Sequence, residues 1–201
     1  MKHEMQIRWR WFKLGRLVAS ALMFAVWITA TTPTSTLAQS QEASEYQVKA
    51  AFLYNFAKFI EWPADGTWKE GDPLTICVVG EDPFGATLDD TVRGKTVEGH
   101  HVVIRRLRPK QSWRGCRIAF LSSPHKEDPL TLGSSTPAGV LTVGETKGFA
   151  EQGGMINFVV EEDKVRFEVN VDAAERSGLK ISSKLLSLAK IVRSPELRGG
   201  S

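Results

Sequence analysis

The stretch 74-LTICVVGEDPFG-85 decides the fold class of this 201-residue chain. Leu74–Val79 is a nearly continuous apolar run, which is typical of a strand buried on both faces of a parallel sheet. Gly80–Gly85 breaks that run, and Asp82 followed by Pro83 is typical of the start of a helix. A buried strand that leads directly into a helix predicts an α/β fold with a mostly parallel sheet.

A long helix is predicted before this strand. Ser44 and Gln47 have the spacing of a capping box, in which two side chains satisfy backbone N–H groups at a helix start. Pro63 is expected to end the helix near Trp62, because a residue before proline avoids helical backbone angles. Between these limits, apolar residues recur at helical spacing: Val48, Phe52, Leu53, Phe56, Phe59 and Ile60.

The chain after residue 85 predicts further strands that alternate with short helices, including a weak helix near 128–132. The strands are 101–107, 117–121, 139–143, 155–160 and 164–171. Glu161–Asp163 fits a hairpin between the last two, and Asp172 is expected to cap a short helical turn after them. A final amphipathic helix is predicted from apolar residues at helical spacing: Ile181, Leu185, Leu188 and Val192. The expected architecture is α/β, a mostly parallel central sheet with helices on both faces and a C-terminal β-hairpin plus helix.

The first 38 residues have the three parts of a secretory signal peptide. Basic residues come first, and the apolar run Leu17–Ala30 follows them. Thr36 and Ala38 then supply the small side chains that signal peptidase requires before a cut. The alternative is an uncleaved anchor, although the run is shorter than the roughly 20 apolar residues that span a bilayer. We expect four segments: a signal peptide at 1–38, a flexible N-terminus at 39–45, an α/β domain at 46–194 and a disordered tail at 195–201.

Loss of the leader would change the net charge of the chain. Residues 1–38 contain five of the 26 Lys and Arg residues but only one of the 23 Asp and Glu residues. The remainder of the chain therefore has 21 cationic and 22 anionic side chains and a net charge of about −1. The formal charge of +3 for the whole chain therefore gives no support for a nucleic-acid partner, which would need a basic face. Secretion places the domain in the periplasm.

Both cysteines, Cys77 and Cys116, lie in the expected mature chain. Two cysteines in an oxidising compartment usually pair, and this disulfide would close a loop of about 40 residues. The alternative is two separate buried thiols. The two residues are 39 positions apart with no paired histidine nearby, which is not a metal-ligand spacing. We expect no metal and no cofactor.

The sequence contains no catalytic motif. The turn at Gly80–Gly85 lacks both glycine-rich phosphate-binding patterns. Ser122 and Ser123 follow a strand, but without the G-x-S-x-G of a nucleophile elbow. His100 and His101 are adjacent, so on a strand they would face opposite sides and could not share a metal. We expect a binding and regulatory protein, with two alternatives: a periplasmic small-ligand receptor whose cleft includes residues 80–84, and a hydrolase that uses Ser122 or Ser123.

One predicted strand has a polar face. Arg166, Glu168 and Asn170 alternate with apolar residues, so the three side chains are expected on the same side of the strand. They are the candidate partner-binding residues. The alternative is an ordinary solvated face of an antiparallel pair.

Several segments resemble the YfiR-like family of periplasmic regulatory proteins, in the order that the family has them. Tyr46–Pro63 resembles the family's opening helix, and Ile76–Gly80 resembles its first strand. Three later segments are similar as well: Gly153–Phe158, Val165–Asn170 and Leu179–Leu186. The resemblance covers nearly the whole chain after the leader.

The resemblance implies a regulator rather than an enzyme. Such a protein binds the extracytoplasmic sensor region of an inner-membrane diguanylate cyclase and represses it, which lowers cyclic di-GMP. An outer-membrane lipoprotein that sequesters the regulator and a second copy in a homodimer are the further partners that it implies. Cys77 and Cys116 resemble one of the family's cysteine pairs. The second pair is missing, because Gly144–Phe158 contains no cysteine, and redox control through that pair is therefore in doubt.

Overall fold

The structure is a computed structural model that describes residues 35–63, 69, 71–122 and 137–194, with their side chains from residue 41 onward. The chain divides into two units, residues 1–41 and 42–201, and the sheet lies in the second. Residues 1–34 of the predicted signal peptide, the weak helix near 128–132 and the predicted tail at 195–201 lie outside the described residues.

Short strands and helices alternate along the second unit. The helices are α1 (Ser35–Lys58), α2 (Ala86–Val92), α3 (Val171–Arg176) and α4 (Ser183–Leu186). The strands are β1 (Ile60–Glu61), β2 (Leu74–Val79), β3 (Thr96–Val97), β4 (His100–Leu107), β5 (Ile118–Leu121), β6 (Leu141–Gly144), β7 (Ile156–Glu161), β8 (Lys164–Asn170), β9 (Lys180–Ile181) and β10 (Lys190–Val192).

The main sheet has eight strands in the order β10-β8-β7-β6-β5-β2-β4-β3. Five of its neighbouring pairs are parallel, whereas β7 with β8 and β3 with β4 are antiparallel. The predicted α/β class with a mostly parallel sheet is confirmed. The hairpin of β7 and β8 is not the edge of the sheet, because β10 adds to β8 in parallel. A separate two-stranded sheet joins β1 to β9.

The sheet separates two apolar clusters, as the full burial of β2 requires. Alternate residues of β2 point to opposite sides: Ile76 and Val78 belong to one cluster, Cys77 and Val79 to the other. All four described helices contribute buried residues to the first cluster, which is the larger. The second is smaller, and Phe149 belongs to it.

The first helix starts and ends earlier than its capping signals indicate. α1 begins at Ser35, so a start at Ser44 is wrong, and residues 39–45 are helical. Leu, Ala, Gln and Glu precede Ser44, and these residues favour helix strongly enough to continue it past a serine. The helix ends at Lys58 rather than near Trp62, because Ile60–Glu61 pair with β9 instead.

A helix is present in the C-terminal part, but its predicted extent from Ile181 to Val192 is wrong. Only the four residues of α4 are helical, and Ser182 accepts a hydrogen bond from the Leu185 N–H at the helix start. The segments on either side form β9 and β10, because their backbones pair with β1 and β8. Leu188 is 68% exposed and does not face the core, contrary to what the helical spacing predicts. The cap of α3 lies two residues earlier than predicted, since Asn170 and not Asp172 accepts a hydrogen bond from the Ala173 N–H.

Phe149 fixes the turn that follows β6. Its ring is buried and lies so close to Gly144 and Gly154 that an added Cβ would come within 2.7 Å and 2.2 Å of ring atoms. We expect Gly154→Ala to lower the free energy of unfolding by about 2 kcal/mol, because the core has no room for the methyl group. Denaturant titration measures this change.

A Phe149→Leu background provides the control for this prediction. The ring atoms that the introduced methyl group would strike are then absent, so Gly154→Ala should cost less in that background. Equal costs in the two backgrounds would show that the ring does not limit the space at Gly154.

Candidate functional site

The carboxyl ends of β2 and β5 meet where the strand order reverses, which is the usual ligand position in an open α/β sheet. The backbone is crowded there. A Cβ on Gly80 would lie 2.5 Å from the Ser122 carbonyl oxygen, and the φ of Gly80 is +100°. The close contact and the backbone angle both require glycine.

Asp82 fills the turn between β2 and α2. Its Oδ1 accepts hydrogen bonds from the Phe84 N–H at 2.8 Å and the Gly85 N–H at 3.3 Å. Its Oδ2 accepts from Arg106 Nε at 2.7 Å. The helix itself begins only at Ala86. Backbone donors that could bind a ligand anion are therefore already satisfied by a carboxylate of the chain, which weakens the small-ligand alternative.

Arg106 holds this turn against α2. Its guanidinium donates to Asp82, to Asp89 and to the Gly85 carbonyl oxygen at 2.9 Å. The hydrogen bond with Asp89 is the largest cause of the lowered pKa of that carboxyl and of the raised pKa of Arg106. Arg106 thus has a structural role here, and its charge is compensated within the chain.

A buried lysine joins α1 to the carboxyl end of β6. Lys49 is 4% exposed and pairs with Glu45, one turn earlier, and with Glu145 at 2.7 Å. The Tyr46 hydroxyl donates to Glu145 at 3.3 Å. Burial, followed by the charge of Glu145, raises the pKa of Tyr46, so its phenol stays protonated and remains a donor. The cluster fixes the position of α1 on the sheet.

The residues considered for catalysis are not brought together in the described part of the chain. Ser123 lies outside it, and Ser122 is half-buried with its N–H bonded to the Val79 carbonyl oxygen. His100 Nδ1 lies 2.7 Å from the Asp72 carbonyl oxygen, whereas His101 is exposed. In the same part of the chain, no three His, Cys, Asp or Glu side chains could hold a metal ion.

Cys77 and Cys116 form a disulfide, with their Cα atoms 5.8 Å apart. The bond links the middle of β2 to the loop before β5, inside the second apolar cluster. Arg105 Nη2 donates to the Cys116 sulfur at 3.0 Å and to the Arg114 carbonyl oxygen at 2.7 Å. The predicted pairing is confirmed, and the alternative of two separate thiols is wrong.

The polar strip of β8 is only partly a surface. Arg166 is exposed, but Glu168 is 7% exposed and Asn170 is fully buried. Glu168 accepts hydrogen bonds from Lys190 at 3.0 Å and from Asn157 at 3.3 Å. These contacts exist because β8 lies between β10 and β7 in the sheet. Glu168 and Asn170 are therefore covered by the rest of the fold, whereas Arg166 faces solvent.

Asn170 forms a junction between four parts of the fold. Its Oδ1 accepts from the Ala173 N–H at 2.9 Å, which caps α3. Its Nδ2 donates to the Ala150 carbonyl oxygen at 2.7 Å and to Ser194 Oγ at 2.8 Å. One side chain therefore ties β8 to α3, to the turn after β6 and to the end of β10.

The most exposed large apolar side chain of the described residues is Leu188, at 68%, and Ile191 is 48% exposed close by in the sequence. Lys184 and Arg193 flank them and are exposed too. Lys184 lies in α4, and Leu188 follows two residues after the end of that helix. We call these four residues the C-terminal face. Exposed aliphatic groups next to cations are typical of a protein-binding surface.

A family model described as YfiR/HmsC-like matches residues 46–190, which is well over half of the chain. The chain belongs to the YfiR/HmsC-like family. This family is periplasmic and regulatory rather than catalytic, and it is associated with membrane sensor proteins. The predicted resemblance is confirmed.

One observation in this chain agrees with that setting. The disulfide fits an oxidising compartment. None of the described helices is both long and apolar enough to cross a membrane. Gly144–Phe158 contains no cysteine, and the ring of Phe149 and the hydrogen bond from Asn170 to the Ala150 carbonyl oxygen hold the turn after β6.

Sequence reasoning missed the C-terminal face because it assigned Leu188 to the core side of a helix. Helical spacing from Ile181 to Val192 supported that assignment. The available signal for a shorter helix was Ser182, a residue that favours the cap position at a helix start. Leu188 and Ile191 follow the end of that helix at Leu186, so no helix buries them.

Proposed function

We propose that this protein is a periplasmic regulator that binds the extracytoplasmic sensor region of a membrane signalling protein, represses a diguanylate cyclase and so lowers cyclic di-GMP. It does so without catalysing a reaction of its own. Membership of the YfiR/HmsC-like family supports the general role. The observation that carries the choice of surface is the exposure of Leu188 and Ile191 in a domain whose other large apolar residues are mostly buried.

The C-terminal face has the chemistry of a binding site for protein. A few central apolar residues supply most of the binding energy of an interface, and a polar rim excludes water around them. Leu188 and Ile191 are the apolar centre, and Lys184 and Arg193 form the rim. Arg166, the exposed member of the predicted strip, is a further contact residue in this proposal, on the face of the sheet opposite to Ile191, whereas Glu168 and Asn170 act by supporting β10.

Repression follows from unequal affinity for two states of the sensor. A bound regulator shifts a conformational equilibrium only by the difference between its affinities for the two states. A change from 99% active to 99% inactive needs about 5.5 kcal/mol of that difference. An interface of standard size, about 1,600 Å², can provide it.

The export signal, the lipoprotein and the homodimer complete the proposal. Cleavage after Ala38 releases the domain into the periplasm, where the cysteines oxidise. An outer-membrane lipoprotein relieves repression by competing for the regulator, and self-association lowers the concentration of free regulator.

The test measures cyclic di-GMP in cells that lack the gene and carry a copy on a plasmid. Deletion should raise cyclic di-GMP, and the wild-type copy should lower it again. A copy with Leu188→Ser and Ile191→Ser should fail to lower it, although the purified variant unfolds at the wild-type denaturant concentration. Val103→Ser, which changes an exposed valine on β4, is the matched control and should act as the wild type does.

Two results would contradict the proposal. Unchanged cyclic di-GMP on deletion, in conditions where the protein is made, would exclude a diguanylate cyclase as the target. Full repression by the Leu188→Ser, Ile191→Ser variant would exclude the C-terminal face as the contact surface.

A further inference from the structure

Among the described strands, β10 lies at one edge of the sheet. β10 has three residues and stands at the end of the strand order, with β8 as its neighbour among the described strands. Alternate residues of a strand direct their N–H and C=O groups to opposite sides. At least one residue of β10 therefore presents its backbone groups away from β8, where they can pair with an added strand.

The side chains of β10 divide between the two faces of the sheet. Lys190 lies beside Glu168 in the register and pairs with it, and Val192 lies beside Asn170. Ile191 lies beside the buried Val169 but is itself 48% exposed, because no further strand covers it among the described residues. An added strand with an aliphatic side chain next to Ile191 would continue the apolar row.

The last described segment of the sequence is rich in cations. Residues 176–194 contain no Asp or Glu and five cations, which are Arg176, Lys180, Lys184, Lys190 and Arg193. Lys190 is compensated by Glu168. Lys184 and Arg193 are exposed and make no ion pair within the described residues. A partner segment with carboxylates would therefore meet unpaired positive charge at Lys184 and Arg193, which flank the apolar pair in the sequence.

We propose that β10 binds an extended segment of the sensor protein as an added strand, and that this segment is acidic and aliphatic. The inference rests on the proposed function, because it gives the mode by which the C-terminal face holds its partner. In strand addition, main-chain hydrogen bonds supply affinity and alternate side chains supply specificity. Ile191 selects the aliphatic side chain, while Lys184 and Arg193 select the carboxylates.

Synthetic peptides test the mode without the natural partner. The probes are a capped hexapeptide of alternating Glu and Val, its Lys and Val counterpart, and two versions of the acidic peptide with N-methyl groups on either set of alternate amides. Titration calorimetry measures their affinity for the protein purified from the full-length gene. Amide hydrogen exchange then reports protection at residues 190–192.

The acidic peptide should bind at least tenfold more tightly than the basic one and should protect amides of β10. N-methylation of one alternate set should abolish binding, whereas the other set should be tolerated, because only one edge of an added strand faces β10. Replacing Lys184 and Arg193 by Gln should weaken binding roughly fivefold for each cation. Val103→Ser should have no effect.

Three results would overturn the inference: no binding of the acidic peptide, equal binding of the acidic and basic peptides, or equal sensitivity to both sets of N-methyl groups. The cellular assay separates this failure from that of the proposed function. If the Leu188→Ser, Ile191→Ser variant loses repression in cells while the peptides fail, the face still binds the sensor but not by strand addition.

Discussion

Replacing both cysteines by alanine should lower the free energy of unfolding by about 4 kcal/mol. The bond between Cys77 and Cys116 closes a loop across 39 positions. Closing such a loop lowers the conformational entropy of the unfolded chain, which destabilises that state by about 4 kcal/mol. Alanine is the suitable replacement because both residues are buried, at 0% and 3% exposure. A serine hydroxyl there would add the cost of an unsatisfied polar group.

Denaturant titrations with and without a thiol reductant measure this effect. The wild-type protein should unfold at a lower denaturant concentration when reduced, and the double variant should be insensitive to the reductant. Equal unfolding free energies for the wild type and the variant would show that the bond does not stabilise the fold. Single cysteine variants are unsuitable, because the remaining thiol can form disulfides between molecules.

The chain has two cysteines, and they form one disulfide with each other. The turn between β6 and β7 is instead held by the ring of Phe149 between Gly144 and Gly154, and by the hydrogen bond from Asn170 to Ala150. Neither contact responds to oxidation or reduction. Thiol–disulfide exchange can therefore act on the described fold only through Cys77 and Cys116, which tie the centre of the sheet.

The central sheet could be predicted because its strands are dictated by local composition. β2 is apolar at five of its six positions, and its full burial follows from that composition. The hairpin was predictable as well, because the polar segment Glu161–Asp163 separates two predicted strands. In the structure, Glu162 and Asp163 adopt left-handed φ angles of 51° and 58° in a two-residue turn. Such turns match the twist of the strands they connect.

The C-terminal part could not be predicted, because its conformation depends on distant partners. Ile181 has helical spacing with Leu185, but its backbone pairs with Ile60, more than a hundred positions earlier. β10 similarly exists because β8 offers a free edge. Periodicity within a segment carries no information about such pairings, and a short helical signal loses to them.

The candidate binding residues show the same limit. Alternation along residues 164–170 correctly gave one polar side of a strand. It could not tell a solvated side from one covered by β10 and the turn after β6. Arg166, near the hairpin, is exposed, whereas Asn170 at the opposite end of β8 is buried.

Asn170→Ala should lower the free energy of unfolding by about 3 kcal/mol. Loss of the cap on α3 costs about 1 kcal/mol. Loss of the two donated hydrogen bonds costs roughly 2 kcal/mol, at about 1 kcal/mol each, and leaves the Ala150 carbonyl oxygen with the Gly153 N–H at 3.2 Å as its donor. Asn170→Asp should be no better, because it keeps the cap but turns a buried negative charge toward that carbonyl oxygen.

Arg166→Ala is the matched control, since it changes the exposed member of the same strip and should alter the free energy of unfolding by no more than about 0.5 kcal/mol. Chemical denaturation of the three variants separates the two roles. If Asn170→Ala unfolds like the wild type yet fails to repress the cyclase, Asn170 contacts the partner directly. A large loss of stability means instead that Asn170 acts by fixing Ser194, and through it the end of β10, so that the C-terminal face keeps its shape.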